Sequence, residues 1–310
     1  MASIMKNGSR FLLCRWLLVI LLLPVITGSA AAEKKTNRMT LAATIFPVAD
    51  ITRCIAGPDI RVVQILPAGA SPHTFDLTPG QVRELQDAWF IFKIGGVDDW
   101  IDSVADSLPQ AAIISLHKFV TLRPAAEKGH DHGSATASLH PGFDPHYWLS
   151  ADNGAVIAKN IAAALAEADP SRAAIYKANL AEYSKQLAAL HQEIKKDLSG
   201  LKNNRMIVFH DAWRYFAGAY GLEIAAVFQT SPGREPTPRD MQELYSQVKR
   251  YGIKAVFSEP QLSTASLEPM LEDLGLELII LDPLGGTVAN DSYARMLLRN
   301  ARTIRRALDR

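Results

Sequence analysis

Between Ser171 and Leu198 the chain carries neither glycine nor proline, and that stretch limits the architecture more than any other feature. Ile175, Leu180, Tyr183, Leu187, Leu190 and Ile194 recur there mostly at three- and four-residue steps, the apolar stripe of an amphipathic helix. At about 1.5 Å per residue such a helix is roughly 40 Å long, enough to run beside two domains as a stiff connector. Pro170 separates it from a second helical piece upstream.

The same rhythm of short apolar runs and amphipathic stretches lies on both sides of this helix. Leu41 to Phe46, Val62 to Leu66, Trp89 to Ile94 and Ala112 to Ser115 read as strands, with helices over Val48 to Ala56 and Thr78 to Ala88. Thr78 is placed to cap the second helix, with Pro79 at its first position. Downstream, strands are predicted at Arg205 to Phe209, Glu223 to Val227, Ala255 to Ser258 and Glu277 to Leu281. Helices include Thr237 to Tyr251 and Ser292 to about Leu308. Alternating strand and helix implies an α/β fold of two lobes, each a mainly parallel sheet flanked by helices, joined by the long helix. The expected boundaries are a leader at 1–32, an N-terminal lobe at 33–165, the connecting helix at 166–202 and a C-terminal lobe at 203–310. A length of 310 residues with 48% hydrophobic and 21% charged content fits two globular domains. A net charge of +1 argues against nucleic acid as a partner.

The first residues have the layout of a cleavable secretory signal. Lys6, Arg10 and Arg15 precede an apolar run from Trp16 to Ile26, and Ala30, Ala31 and Ala32 offer a small-residue cleavage site. The run is shorter than the about 20 residues a membrane span needs. Cleavage after Ala32 removes those three cations and no acid, which takes the net charge from +1 to −2. It also removes Cys14, which sits ahead of the apolar run and not at the cleavage site, so no lipid attachment is expected. Cys54 is then alone, without an internal disulfide, and is expected to be a small core residue. These features point to a protein exported to a periplasm.

Ligands collect outside the carboxyl ends of the strands in parallel α/β sheets, and His73, His210 and Asp282 are predicted there, while a fourth candidate, His146, lies between segment 125–143 and the helical segment. His73 lies in Pro72-His73-Thr74, His146 in Asp144-Pro145-His146, and His210 and Asp282 end their predicted strands. Three imidazoles and one carboxylate suit a divalent transition metal, zinc in particular. Taken singly, such a histidine is more often a hydrogen-bonded structural residue than a ligand, and Asp282 is readable as the cap of a turn. Asp76 and Asp211 are candidates to orient His73 and His210, with helix capping as the other reading. Glu259, at a strand end, either lines the site or hydrogen-bonds locally. His117 and His191 are expected to be ordinary satisfied or surface histidines. The low-complexity segment 125–143 reads as a surface loop, in which His130, His132 and His140 offer a weak secondary metal contact.

These segments, taken together, give a resemblance. Ile45-Phe46-Pro47, Pro72-His73-Thr74-Phe75, Gly95-Gly96-Val97-Asp98-Asp99-Trp100, Asp144-Pro145-His146-Tyr147-Trp148, His210-Asp211-Ala212, Ser258-Glu259-Pro260-Gln261 and Leu281-Asp282-Pro283-Leu284 resemble the metal-binding cluster of ABC-transporter substrate-binding proteins, most closely its periplasmic zinc-uptake members. The resemblance implies a rigid connecting helix and a Zn2+ site in the interlobe cleft, with ligands at His73, His146, His210 and Asp282. It also implies delivery of the ion to a membrane permease driven by a cytoplasmic ATPase, by a protein expected to be a monomer and not an enzyme. Some zinc members carry a carboxylate just before the first histidine, where this chain has Pro72, and its histidine loop is short. The alternatives are a manganese or iron receptor of the same family and, in another class, a zinc hydrolase with Glu259 as base. Against the hydrolase, Asp282 would fill the open position a catalytic zinc keeps, and the two-histidine helical motif of metalloproteases is absent.

Overall fold

The structure is a computed structural model and describes residues 39–125, 142–229, 237–265 and 268–309. The predicted leader and His130, His132 and His140 lie outside the described residues. In the first lobe β1 (Thr40–Ala43), α1 (Phe46–Ala56), β2 (Arg61–Gln64), α2 (Pro79–Glu84), β3 (Ala88–Lys93) and β4 (Ala112–Ser115) follow one another. Its four strands are parallel, in the order β2-β1-β3-β4. Leu41, Ala42 and Ala43 are fully buried because β1 is an inner strand covered on both faces. Thr78 caps α2 as expected, its Oγ1 accepting the Gln81 N–H at 3.3 Å while Gln81 Oε1 accepts the Thr78 N–H at 3.0 Å.

α3 (Ala151–Ala168) and α4 (Ala173–Asp197) form an antiparallel pair about the turn at Pro170. The buried stripe of α4 is Tyr176, Tyr183, Leu187, Leu190 and Ile194. Ile175 is 47% exposed, contrary to the predicted stripe, because Tyr176 is the residue in phase with the 183, 187, 190 and 194 positions.

The second lobe repeats the first. β5 (Arg205–His210), α5 (Arg214–Tyr220), β6 (Glu223–Gln229), α6 (Pro238–Tyr251), β7 (Ala255–Ser258), α7 (Glu268–Leu274) and β8 (Glu277–Ile280) give a parallel sheet in the order β6-β5-β7-β8. In each sheet the chain steps outward to one side after the first strand and to the other side afterwards. The point where the order reverses lies between β1 and β3 in one lobe and between β5 and β7 in the other.

α8 (Tyr293–Leu308) returns to the first lobe and packs on α1 and α4. The Tyr293 N–H donates to Asp50 Oδ2 at 2.8 Å, and its buried hydroxyl lies 2.5 Å from the Trp148 carbonyl and 2.9 Å from that of Ser150. Gly154 on α3 makes room for that ring: a Cβ there would come within 2.6 Å of it. One core thus runs continuously from Leu41 and Ile51 through Trp148, Ile157 and Leu187 to Phe216 and Leu297. Cys54 is exposed, not in the core. The buried side of α1 is made by Val48, Ala49, Ile51, Thr52 and Ile55, which leaves position 54 facing outward.

Candidate metal centre

His210 is the last residue of β5 and Glu259 follows β7, so both stand at the reversal point of the second sheet. Both are buried. The Glu259 carboxylate lies 3.2 and 3.4 Å from His210 Nδ1 and also accepts Trp213 Nε1–H at 3.2 Å. Burial pushes the His210 imidazole toward the neutral form, but the charge and hydrogen bond of Glu259 outweigh it, and the net shift is upward.

The first lobe closes its own reversal point differently. There Thr44, after β1, donates its hydroxyl to Asp98, and the Asp98 carboxylate also accepts the N–H groups of Ile94 and Gly95. This buried acid is spent on the backbone, and the lobe offers its histidines from loops instead. His73 sits in a short turn, Pro72–Thr74, where Ser71 Oγ accepts the His73 N–H at 3.3 Å. Trp100 Nε1–H pins the Pro72 carbonyl at 3.1 Å and stacks edge-on against Phe75. His146 is held by Asp144, whose Oδ1 lies 2.9 Å from both the backbone nitrogen and ring Nδ1 of His146. Trp148 Nε1–H, close to the His146 ring, donates to the Pro283 carbonyl at 2.8 Å and so ties this segment to the second lobe.

These supports turn three imidazoles toward one point. The ring centroids lie 5.5 Å apart for His73 and His146, 4.9 Å for His73 and His210, and 5.0 Å for His146 and His210. One nitrogen from each lies within 4.8 Å of the others. His73 Nε2 and His146 Nε2 are 3.4 Å apart. Asp144 at the Nδ1 of His146 leaves Nε2 as the ring nitrogen that faces His73. Burial, then His146 and His210, push the His73 pKa down to about 2, so a proton does not bridge the gap. Two nitrogens about 2.0–2.1 Å from a tetrahedral ion stand about 3.4 Å apart, the separation found here. The arrangement therefore fits a divalent cation between the rings.

The four expected ligands are not all gathered. Asp282 does not join the histidine group: its Oδ1 accepts the N–H groups of Leu284 and Gly285 at 3.0 and 2.8 Å, and its Oδ2 is 3.8 Å from an Arg299 nitrogen. Asn300 on α8 holds the Asp282 backbone from both sides. Asp76 is exposed and has no hydrogen bond to His73 among the described residues. Asp211 turns to Arg214, at 2.6 and 2.8 Å, and away from His210. The acids that orient the imidazoles are Glu259 and Asp144. Asp144 escaped the sequence reading, although its place two residues before His146 was the available signal. His117 is satisfied by Ser115 Oγ at 2.7 Å, whereas His191 Nδ1 lies 3.2 Å from Asp152 Oδ2 without forming a hydrogen bond among the described residues.

A receptor architecture, with two parallel α/β lobes and a histidine triad at the lobe ends, is what fold and site define together. The chain belongs to the family of zinc-uptake complex component A periplasmic proteins, whose model matches residues 41–307. Zinc-binding protein AdcA of Streptococcus pyogenes serotype M3 is 28% identical over 296 residues, covering 90% of this chain, which spans 57% of that relative's length. The high-affinity zinc uptake system protein ZnuA of Brucella suis biovar 1 is 26% identical over 321 residues, covering 92% of this chain and 96% of the relative. Among solved structures, a crystal structure of ZnuA superposes with a TM-score of 0.76 at 30% identity, covering 87% of this chain and 99% of the other.

Proposed function

We propose that this protein is the extracytoplasmic receptor of a high-affinity zinc ABC transporter, which captures Zn2+ and passes it to a membrane permease coupled to a cytoplasmic ATPase. The observation that carries this reading is the convergence of His73, His146 and His210, two of them backed by buried carboxylates. Nitrogen donors in fourfold geometry favour zinc over manganese, which prefers oxygen ligands in higher coordination. The family and the zinc-uptake relatives support the same ion. Among the described residues no helix is long and apolar enough to cross a membrane. We place the protein in the periplasm as a monomer without a lipid anchor, and assign it no catalytic step.

A competition titration of zinc against manganese, on the protein first stripped of metal, tests this. Zinc should bind one ion per chain far more tightly than manganese, and His210→Ala should lose that binding. Displacement of zinc by manganese at comparable concentration would overturn the assignment.

A further inference from the structure

We propose that Gln261 is a positioning residue for the captured ion, its carboxamide oxygen holding a water that zinc keeps as fourth ligand. This rests on the zinc reading above. Gln261 ends the Ser258-Glu259-Pro260-Gln261 turn that leaves β7 at the reversal point of the second sheet, and it lines the same pocket as His73, His146 and His210. Its Oε1 and Nε2 are both buried and have no hydrogen-bond partner among the described residues. A buried amide without partners costs folding free energy, so one retained beside a ligand site is a group waiting for a ligand to complete it.

Two further observations say what that ligand is. The carboxylate expected in the fourth position, Asp282, is occupied by the Leu284 and Gly285 amides and faces Arg299. The charge of the ion is already met: Asp144 and Glu259 each sit on the Nδ1 of one ligand imidazole, and two negative charges balance a divalent cation. A neutral fourth donor therefore leaves the buried site uncharged, whereas a third carboxylate would leave it negative and poorly solvated. Water bound to zinc is polarised into a strong hydrogen-bond donor. Oε1 of Gln261 is the acceptor it needs, and no bond is made or broken in the exchange.

The full chain with Gln261→Leu and with Gln261→Glu tests the proposal, using zinc competition against a chromogenic chelator and the visible spectrum of the Co2+-loaded protein. Gln261→Leu should weaken zinc about tenfold, the effect of one hydrogen bond to a polarised group. It should also move the cobalt bands and leave the metal-free melting temperature level or higher, since an orphaned amide has gone. Gln261→Glu should recover part of the affinity, because its carboxylate accepts the same hydrogen bond, and should fall short of wild type by the cost of a third buried negative charge. Unchanged zinc affinity and cobalt spectrum in Gln261→Leu would overturn the role, as would a drop in its metal-free melting temperature, the mark of simple packing. Failure of the unaltered protein to bind zinc would instead strike the zinc reading itself.

Discussion

The two carboxylates behind the histidines should be separable from the histidines by experiment. Asp144 and Glu259 accept from the Nδ1 atoms of His146 and His210 at 2.9 and 3.2 Å without entering the ligand group. Loss of such a partner weakens a metal site about 10–100-fold. Glu259→Gln keeps an oxygen that can still accept from His210, so its loss belongs near tenfold. Asp144→Asn belongs nearer a hundredfold, because a single oxygen serves both the ring and the backbone of His146 and a neutral amide oxygen holds both less strongly than a carboxylate. With zinc at a thousand times the wild-type Kd, binding adds about 4 kcal/mol to stability, about 2.7 kcal/mol after a tenfold loss and about 1.4 kcal/mol after a hundredfold loss. At about 2–4 °C per kcal/mol for a domain of this size, the zinc-induced rise in Tm should shrink from about 8–16 °C to about 5–11 °C and about 3–6 °C. Thermal melts with and without chelator, at fixed free zinc, read these shifts directly. The reasoning is refuted if both variants keep the wild-type zinc response while His210→Ala loses it.

Three further outcomes follow from contacts away from the triad. Asp282→Ala should keep zinc affinity within several-fold of wild type in the same competition titration; a loss as large as that of His210→Ala would restore Asp282 as a ligand. Gly154→Ala would drive a methyl group to within 2.6 Å of the buried Tyr293 ring, and should cost about 1–3 kcal/mol by overpacking, seen as a lower Tm of the metal-free protein. Burial works against the Asp291 charge, but Arg299 and the amides of Gly286 and Ser292 prevail and hold its pKa below the ordinary carboxylate value. That contribution is present above about pH 4 and fades as pH falls through the folded value, so Asp291→Asn should melt earlier than wild type at pH 7 and converge with it in acid. A gap that widens in acid would reverse the sign of the argument.

The strands were legible because each is a short apolar run with a polar or glycine boundary; β4 and β7 fall where the run itself ends. Phase was harder to read. In α4 the alternation around Ile175-Tyr176 admits two registers, and only the cover supplied by neighbouring helices selects Tyr176. In α1, Cys54 reads as core from composition, yet the buried positions on either side of it leave it outside. At the site, His73 and His210 were visible as polar residues after or at strand ends, and His146 through the Asp144-Pro145-His146-Tyr147-Trp148 segment that carries the resemblance. Their supports were less so, since Asp76, Asp144 and Asp211 are all acids near a histidine in sequence while Glu259 is 49 residues from His210, and only the folded side-chain directions decide which acid meets which ring. Asp282 could not be settled locally at all. Its Oδ1 is claimed by the turn that follows, its Oδ2 faces Arg299, and its backbone is held by Asn300, a residue of α8.

That last helix bears on how the molecule comes into being. α1 is made early, but part of its cover, including the partner of Asp50, lies 243 residues later in α8. A contact of such sequence separation closes late and slowly, because a long loop must be ordered before it gains anything. Until Tyr293 to Leu308 emerge, the first lobe has an open apolar flank along α1 and α4 and lacks the plug that fills the space beside Gly154. Folding therefore waits for α8, and truncation before Tyr293, which removes its sixteen residues, should disable both lobes instead of leaving an intact first half. A polypeptide built this way remains threadable until α8 has been made.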